Sequence, residues 1–227
     1  MNAKNQNTWL GAMAAALLTM AAVPAAQAQV RITEVAAWGS GDAPYATDWF
    51  ELTNTGSTAI SLTGWTMDDS SNGTAKVALV GITSIAAGES VIFTENAAAA
   101  SFLSTWFGAN APAGLQIGTY TGAGVGLSTS GDAVNVFNAS GTLQANVVFG
   151  ASDSTAPLQT FDNAQGLNNA TISLLSAAGV NGAFAAANDA NEIGSPGRIS
   201  AVPEPTSYAL MLGGLALIGA FAKKRKA

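Results

Sequence analysis

Asp48-Trp49-Phe50-Glu51-Leu52-Thr53-Asn54-Thr55-Gly56 is the stretch from which the rest of the chain can be read. Trp49, Glu51 and Thr53 alternate with Phe50, Leu52 and Asn54, so two side-chain sets face opposite ways with the period of a β-strand. Asn54-Thr55-Gly56 ends the strand in turn chemistry. The same grammar extends outward in both directions. Val30-Arg31-Ile32-Thr33-Glu34-Val35 is rich in β-branched residues and reads as the first strand. Ile60-Ser61-Leu62 and Trp65-Thr66-Met67 flank Gly64, a site for a bulge or bend. Residues 77–80 form a short apolar run, and Ala87-Gly88-Glu89 is a turn before Val91-Ile92-Phe93-Thr94. Val134-Asn135-Val136-Phe137 and Val147-Val148-Phe149 bracket Asn138-Ala139-Ser140-Gly141 as a hairpin. One segment breaks the rhythm: residues 96–106 place Ala98, Phe102 and Trp106 on one helical face, with Asn96 as candidate N-cap. Many strands, regular turns and one short capping helix predict an all-β sandwich.

Composition narrows the chemistry. Residues 30–199 hold three cations, Arg31, Lys76 and Arg198, against thirteen carboxylates, a net of −10. Such a field repels phosphate backbones and argues against nucleic acid as a partner. It suits solubility or a divalent cation. The chain has neither cysteine nor histidine. Disulfides, thiol nucleophiles, imidazole metal sites and a Ser-His-Asp triad are therefore excluded. Only carboxylate chemistry, Lys76 or oxygen-ligand metal sites remain, so the expectation is a protein that is not an enzyme and carries no cofactor.

Both termini carry address labels. Lys4, an apolar stretch over 9–23, Pro24 and Ala26-Gln27-Ala28 have the three parts of a secretory signal peptide over 1–28, with cleavage between Ala28 and Gln29. At the other end, Pro203-Glu204-Pro205 precedes an uncharged run over 206–222 and the basic tail Lys223-Lys224-Arg225-Lys226. The run is 17 residues, about 25 Å as a helix and slightly short of a ~30 Å hydrocarbon core. Four cations belong on the cytoplasmic side of such a span. The expected flanks are thus an N-terminal signal helix and a C-terminal transmembrane helix.

These residues support two resemblances. Residues 202–226 resemble the PEP-CTERM sorting signal. That implies an exosortase as partner, after signal peptidase at the other end. It further implies a transient hold in the inner membrane through 206–222, and delivery from a Gram-negative cell to its surface or extracellular matrix. Arg31-Ile32-Thr33-Glu34-Val35, the stretch 48–56, and Ile60-Ser61-Leu62-Thr63-Gly64-Trp65 resemble the lamin-tail domain family. Ala87-Gly88-Glu89-Ser90-Val91, Leu127-Ser128-Thr129-Ser130-Gly131-Asp132 and Gly194-Ser195-Pro196-Gly197 continue the pattern in order, across 30–199. The resemblance implies an immunoglobulin-like β-sandwich that binds or builds, with no shared catalytic set. The expected role is a structural or adhesive protein of a biofilm matrix, with exopolysaccharide or other matrix components as partners. A glycan- or calcium-binding module is the alternative.

Several residues invite a sharper reading. Glu34 and Glu51 are acids among apolar strand neighbours: either a pair for metal or substrate, or acceptors that set strand register. Register is the expectation. Asp68-Asp69-Ser70-Ser71-Asn72-Gly73 is rich in oxygen ligands but lacks EF-hand spacing, so a solvated turn is expected over calcium. The same holds for Asp162-Asn163 and for Asn188-Asp189-Ala190-Asn191-Glu192. Among Trp38, Trp49, Trp65 and Trp106, Trp38 is the best candidate for an exposed glycan platform. No residue is assigned to catalysis, a cofactor or a metal.

Overall fold

The structure is a computed structural model that describes residues 30–70, 76–122, 124–152 and 155–198. The elements are β1 (Val30–Ala36), α1 (Gly39–Asp42), β2 (Trp49–Asn54), β3 (Ile60–Ser61), β4 (Thr66–Asp68), β5 (Val77–Val80), β6 (Ser84–Ile85) and β7 (Ser90–Thr94). Then come α2 (Ala99–Phe107), β8 (Ile117–Tyr120), β9 (Asp132–Phe137), β10 (Leu143–Phe149) and β11 (Leu158–Gln159). The described chain ends with β12 (Phe161–Asp162), β13 (Ala170–Ile172), β14 (Phe184–Ala186) and β15 (Asp189–Gly194). The expected signal peptide over 1–28 and the sorting segment 202–226 lie outside the described residues. Among the described residues no helix is long and apolar enough to cross a membrane.

Ten strands pair in the order β12-β1-β2-β7-β8-β5-β4-β9-β10-β13. β5 is the corner of this ribbon. Val77 and Ala78 pair with β4, while Leu79 and Val80 pair with β8. The ribbon folds there into two layers, and β1 packs across the interior on β10. The opposite side is closed by the chain after β13. Leu175 bridges Phe161, Asp162 N–H donates to Leu174 O at 2.8 Å, and Ser176 N–H donates to Thr160 O at 2.9 Å. Closing both sides leaves fewer unpaired edges as templates for aggregation. The result is an all-β, immunoglobulin-like sandwich.

Two apolar clusters explain why all six residues of β2 are buried. Phe50 and Leu52 join Val35, Met67, Phe93, Tyr120, Val136 and Val147 between the layers. Trp49 points the other way, into a cluster with Trp38, Ile92, Phe102, Trp106 and Leu158. That outer cluster is covered by α2 and by the three-stranded sheet β11-β15-β14. The alternation in 49–54 thus separates two cores, and Glu51 and Thr53 lie on the Trp49 side.

The expected helix exists and buries Phe102 and Trp106. It lies over the outer face of one layer instead of the sandwich end, because Trp49 and Ile92 present apolar surface there. Its N-cap is Ala98, not Asn96, and no side chain caps it. Asn96 is occupied otherwise: its N–H donates to Thr47 Oγ1 at 3.0 Å and its carbonyl accepts Thr94 Oγ1–H at 2.7 Å. Gly64 turns between β3 and β4 with φ of +76°, a backbone region open to glycine.

Candidate functional site

A polar seam runs along the outer face of the first layer, beneath the last turn of the domain. β1 carries an irregularity between Ile32 and Glu34, which places Glu34 opposite Glu51 on β2. Extra residues at such a bulge re-aim side chains. Thr33 Oγ1–H donates to Glu51 Oε1 at 2.6 Å and lies 2.8 Å from Thr53 Oγ1. Thr53 Oγ1 in turn lies 2.6 Å from Ser90 Oγ. Glu34 Oε1 accepts Thr160 Oγ1–H at 2.5 Å and Ser195 N–H at 2.6 Å. Glu51 Oε2 accepts Gly197 N–H at 2.6 Å. The two acids therefore fasten Gly194-Ser195-Pro196-Gly197 to the sheet. Gly194 has room for no side chain, since a Cβ there would fall 2.6 Å from Glu34 Oε1 and 2.9 Å from Trp106 Cη2.

Both carboxyls are 0% exposed. Burial, with the Glu51 charge adding to it, pushes Glu34 up to about 8, against the pull of Thr160 and Ser195. Burial likewise raises Glu51 to about 7, opposed first by the Thr33 hydroxyl and then by the Gly197 amide. Low dielectric disfavours the charged form, and two neighbouring acids disfavour double ionisation. Glu34 Oε2 and Ser195 Oγ are buried and lack a hydrogen-bond partner. A pair sealed from solvent cannot meet a substrate or a hydrated cation. It acts as a fastener, as expected of acids that set register.

A further buried acid is Glu192, which the sequence places in a solvated turn. Glu192 Oε2 accepts the Tyr45 hydroxyl at 2.9 Å, and that hydroxyl accepts Trp49 Nε1–H at 3.1 Å and Trp106 Nε1–H at 3.3 Å. Burial raises Glu192 to about 8. The expectation of a solvated turn at 188–192 is corrected here: Asp189–Gly194 is β15, and Glu192 is 0% exposed. Tyr45 is 147 positions away in the chain, so no local signal marked the pair.

Trp38 is also corrected. It is 1% exposed and donates Nε1–H to Gln159 O at 2.9 Å. Trp49, Trp65 and Trp106 are buried with it, so none offers a face to a glycan. Asp68 and Asp69 are buried instead of solvated. Asp68 Oδ1 accepts Asp69 N–H at 3.0 Å, and Asp69 Oδ2 accepts Gly126 N–H at 3.3 Å. Residues 71–75 of that loop lie outside the described set. Among the described residues no three acids gather as a metal site. Asp162 and Asn163 serve a turn but are buried instead of solvated: Asp162 Oδ1 accepts Ala164 N–H at 2.7 Å, while Asn163 Nδ2–H donates to Ile32 O at 2.6 Å. The residues expected to be processed, Pro203, Glu204 and Pro205 in the sorting motif and Ala28 and Gln29 at the expected signal cleavage, lie outside the described residues.

The profile of the Lamin Tail Domain family matches residues 23–151. That of the PEP-CTERM protein-sorting motif matches residues 201–226. No curated protein shows significant similarity to the chain. The first match ends before Thr160, Glu192, Ser195 and Gly197, although these residues complete the seam. Both matched families are structural or sorting modules without a catalytic role of their own.

Proposed function

Because the chain belongs to the lamin tail domain family and ends in a sorting motif, we propose that it is a non-catalytic structural or adhesive protein of the bacterial surface or extracellular matrix. The motif implies export and handling by an exosortase with a transient membrane hold. On this reading 1–28 is a signal peptide removed between Ala28 and Gln29, and 30–199 is the working domain. Pro203, Glu204 and Pro205 are the processing motif, 206–222 is the membrane segment, and 223–226 is the basic stop. Matrix components such as exopolysaccharide are the proposed partners of the sandwich.

The observation that carries the non-catalytic reading is the fate of the acids. With no histidine or cysteine, carboxylates are the main reactive groups left. Glu34, Glu51 and Glu192 are wholly buried, and each uses at least one carboxyl oxygen to hold the fold: Glu34 through Oε1, Glu192 through Oε2 and Glu51 through both. Two measurements test the proposal. Mass spectrometry of surface-released protein should find a chain that begins at Gln29 and lacks 223–226, and cells without the exosortase should retain it. Intact Lys223–Lys226 on released protein would refute the sorting route. Purified residues 29–202 should be inert toward esters, phosphodiesters and polysaccharides, whereas an activity abolished by one carboxylate substitution would make the protein an enzyme.

A further inference from the structure

The described fold runs to Arg198, and its last turn is held on several sides. Ser195 N–H and Gly197 N–H are fixed on Glu34 and Glu51, each at 2.6 Å. Arg198 N–H closes the turn on Ser195 O at 2.9 Å. The Arg198 guanidinium lies 4.0 Å from the centroid of the Phe184 ring, a cation–π contact. A turn fastened to wholly buried groups gives the chain a fixed point of departure.

Five steps of chain lead from Arg198 to Pro203 and eight to Thr206. Fully extended, they span at most about 18 Å and about 29 Å. A domain of this length is roughly 40 Å across. An enzyme acting at Pro203–Pro205 therefore works within less than half a domain's width of the sandwich and abuts the surface around Arg198. Arg198 is exposed there. Beside it is the turn after β13, closed by Gly179 N–H on Ala183 O at 2.8 Å and by Val180 N–H on Ala177 O at 2.9 Å. This turn abuts Arg198, since a Cβ on Gly182 would lie 3.1 Å from Arg198 O. At its tip Val180 is 50% exposed. The exit thus presents a cation and an apolar side chain on a domain whose net charge is −10.

We propose that the surface carrying Arg198 and Val180 is the docking face for the membrane enzyme that processes Pro203-Glu204-Pro205, so that the folded domain is recognised together with the motif. This rests on the sorting reading above and adds a second contact to it. The complementary surface carries an acidic group beside an apolar one.

The test uses the full chain in cells that contain the exosortase, with processing followed by pulse-chase and product mass. Arg198→Glu combined with Val180→Asp should slow processing about tenfold, the factor that loss of roughly 1.4 kcal/mol gives. The melting temperature of purified residues 29–202 should fall by no more than a few degrees, because both side chains are exposed and the hold lost is the cation–π contact of Arg198 on Phe184. A flexible Gly-Ser insertion of about a dozen residues after Ser200 should slow processing by a similar factor. In that lengthened chain the double substitution should add nothing. Wild-type rates for the double variant, or for the insertion, overturn the docking face. A motif variant, Glu204→Gln with Pro203→Ala and Pro205→Ala, separates the two ideas. If it blocks processing while the double variant is normal, only the docking face fails. If processing ignores it, the sorting reading itself fails.

Discussion

A carboxyl shut away from water must either stay neutral or be surrounded by donors, because an isolated buried charge is costly. Glu34 has donors on Oε1 and none on Oε2, which favours the neutral form. Its folded pKa of about 8 lies above the ordinary 4.5, so the folded state holds the proton more tightly than the unfolded chain. The linked stabilisation is complete below the unfolded value and is lost as pH rises through the folded one. Glu192, Glu51 and Asp48 shift in the same direction, chiefly through burial. The urea midpoint should therefore be higher at about pH 5 than at about pH 8.5. Glu34→Gln, which keeps the acceptor oxygen and cannot ionise, should flatten that dependence. At about pH 5, Glu34→Leu should cost about 1–3 kcal/mol by stranding the Ser195 amide. A midpoint that rises steadily with pH would disprove the buried-proton account.

At the scale of elements, the corner strand β5 holds the two layers together, and its fit to β8 depends on one small residue. A Cβ on Gly118 would lie 2.5 Å from Val80 O and 2.7 Å from Phe93 Cε1. Neither backbone oxygen nor a ring packed in the core can yield cheaply. Gly118→Ala should therefore destabilise the domain by about 1–3 kcal/mol, the usual cost of overpacking. Gly41→Ala is the control, because nothing lies within 4 Å of a Cβ there. It should be neutral or gain about 0.5–1 kcal/mol from reduced chain entropy. Thermal denaturation of the two variants, side by side, decides whether the corner is as tightly packed as its distances imply. The helix α2 follows the same logic of contact over local preference. It has no capping side chain, yet Trp106 packs edge-on to Trp49 at 5.8 Å and to Phe184 at 5.7 Å.

Across the whole molecule, the segment after residue 151 completes both layers. It supplies β12 beside β1, β13 beside β10, and the cover over the outer cluster. It also brings the donors Thr160, Ser195 and Gly197 to the two buried acids. Residues 29–151, close to the span of the family match, should consequently fail to fold alone. They would expose two sheet edges and the outer face of an aromatic cluster, and would strip Glu34 of Thr160 and Ser195 and Glu51 of Gly197. Circular dichroism should show no cooperative thermal transition for this fragment, whereas residues 29–202 should melt in one step. A cooperative transition in the shorter fragment would mean that the seam is dispensable.

Local pattern alone carried most strands through β10, because alternation, Gly64 and the 138–141 turn act over a few neighbouring residues; β6, two residues long, and β8, interrupted by Gly118, escaped it. It also made the sorting motif and the expected signal peptide legible as strings, and the absence of histidine and cysteine a limit on chemistry. The strands after residue 151 were illegible: β11 and β12 are two residues each, and their apolar content is too slight to set a period. Trp38 read as exposed because glycines follow it, and Glu192 read as a turn acid because Asn and Asp precede it. Only the tertiary structure buries them, by folding β11-β15-β14 and α2 over the first layer. Burial is a property of what covers a residue, and here the cover comes from more than a hundred positions away in the chain.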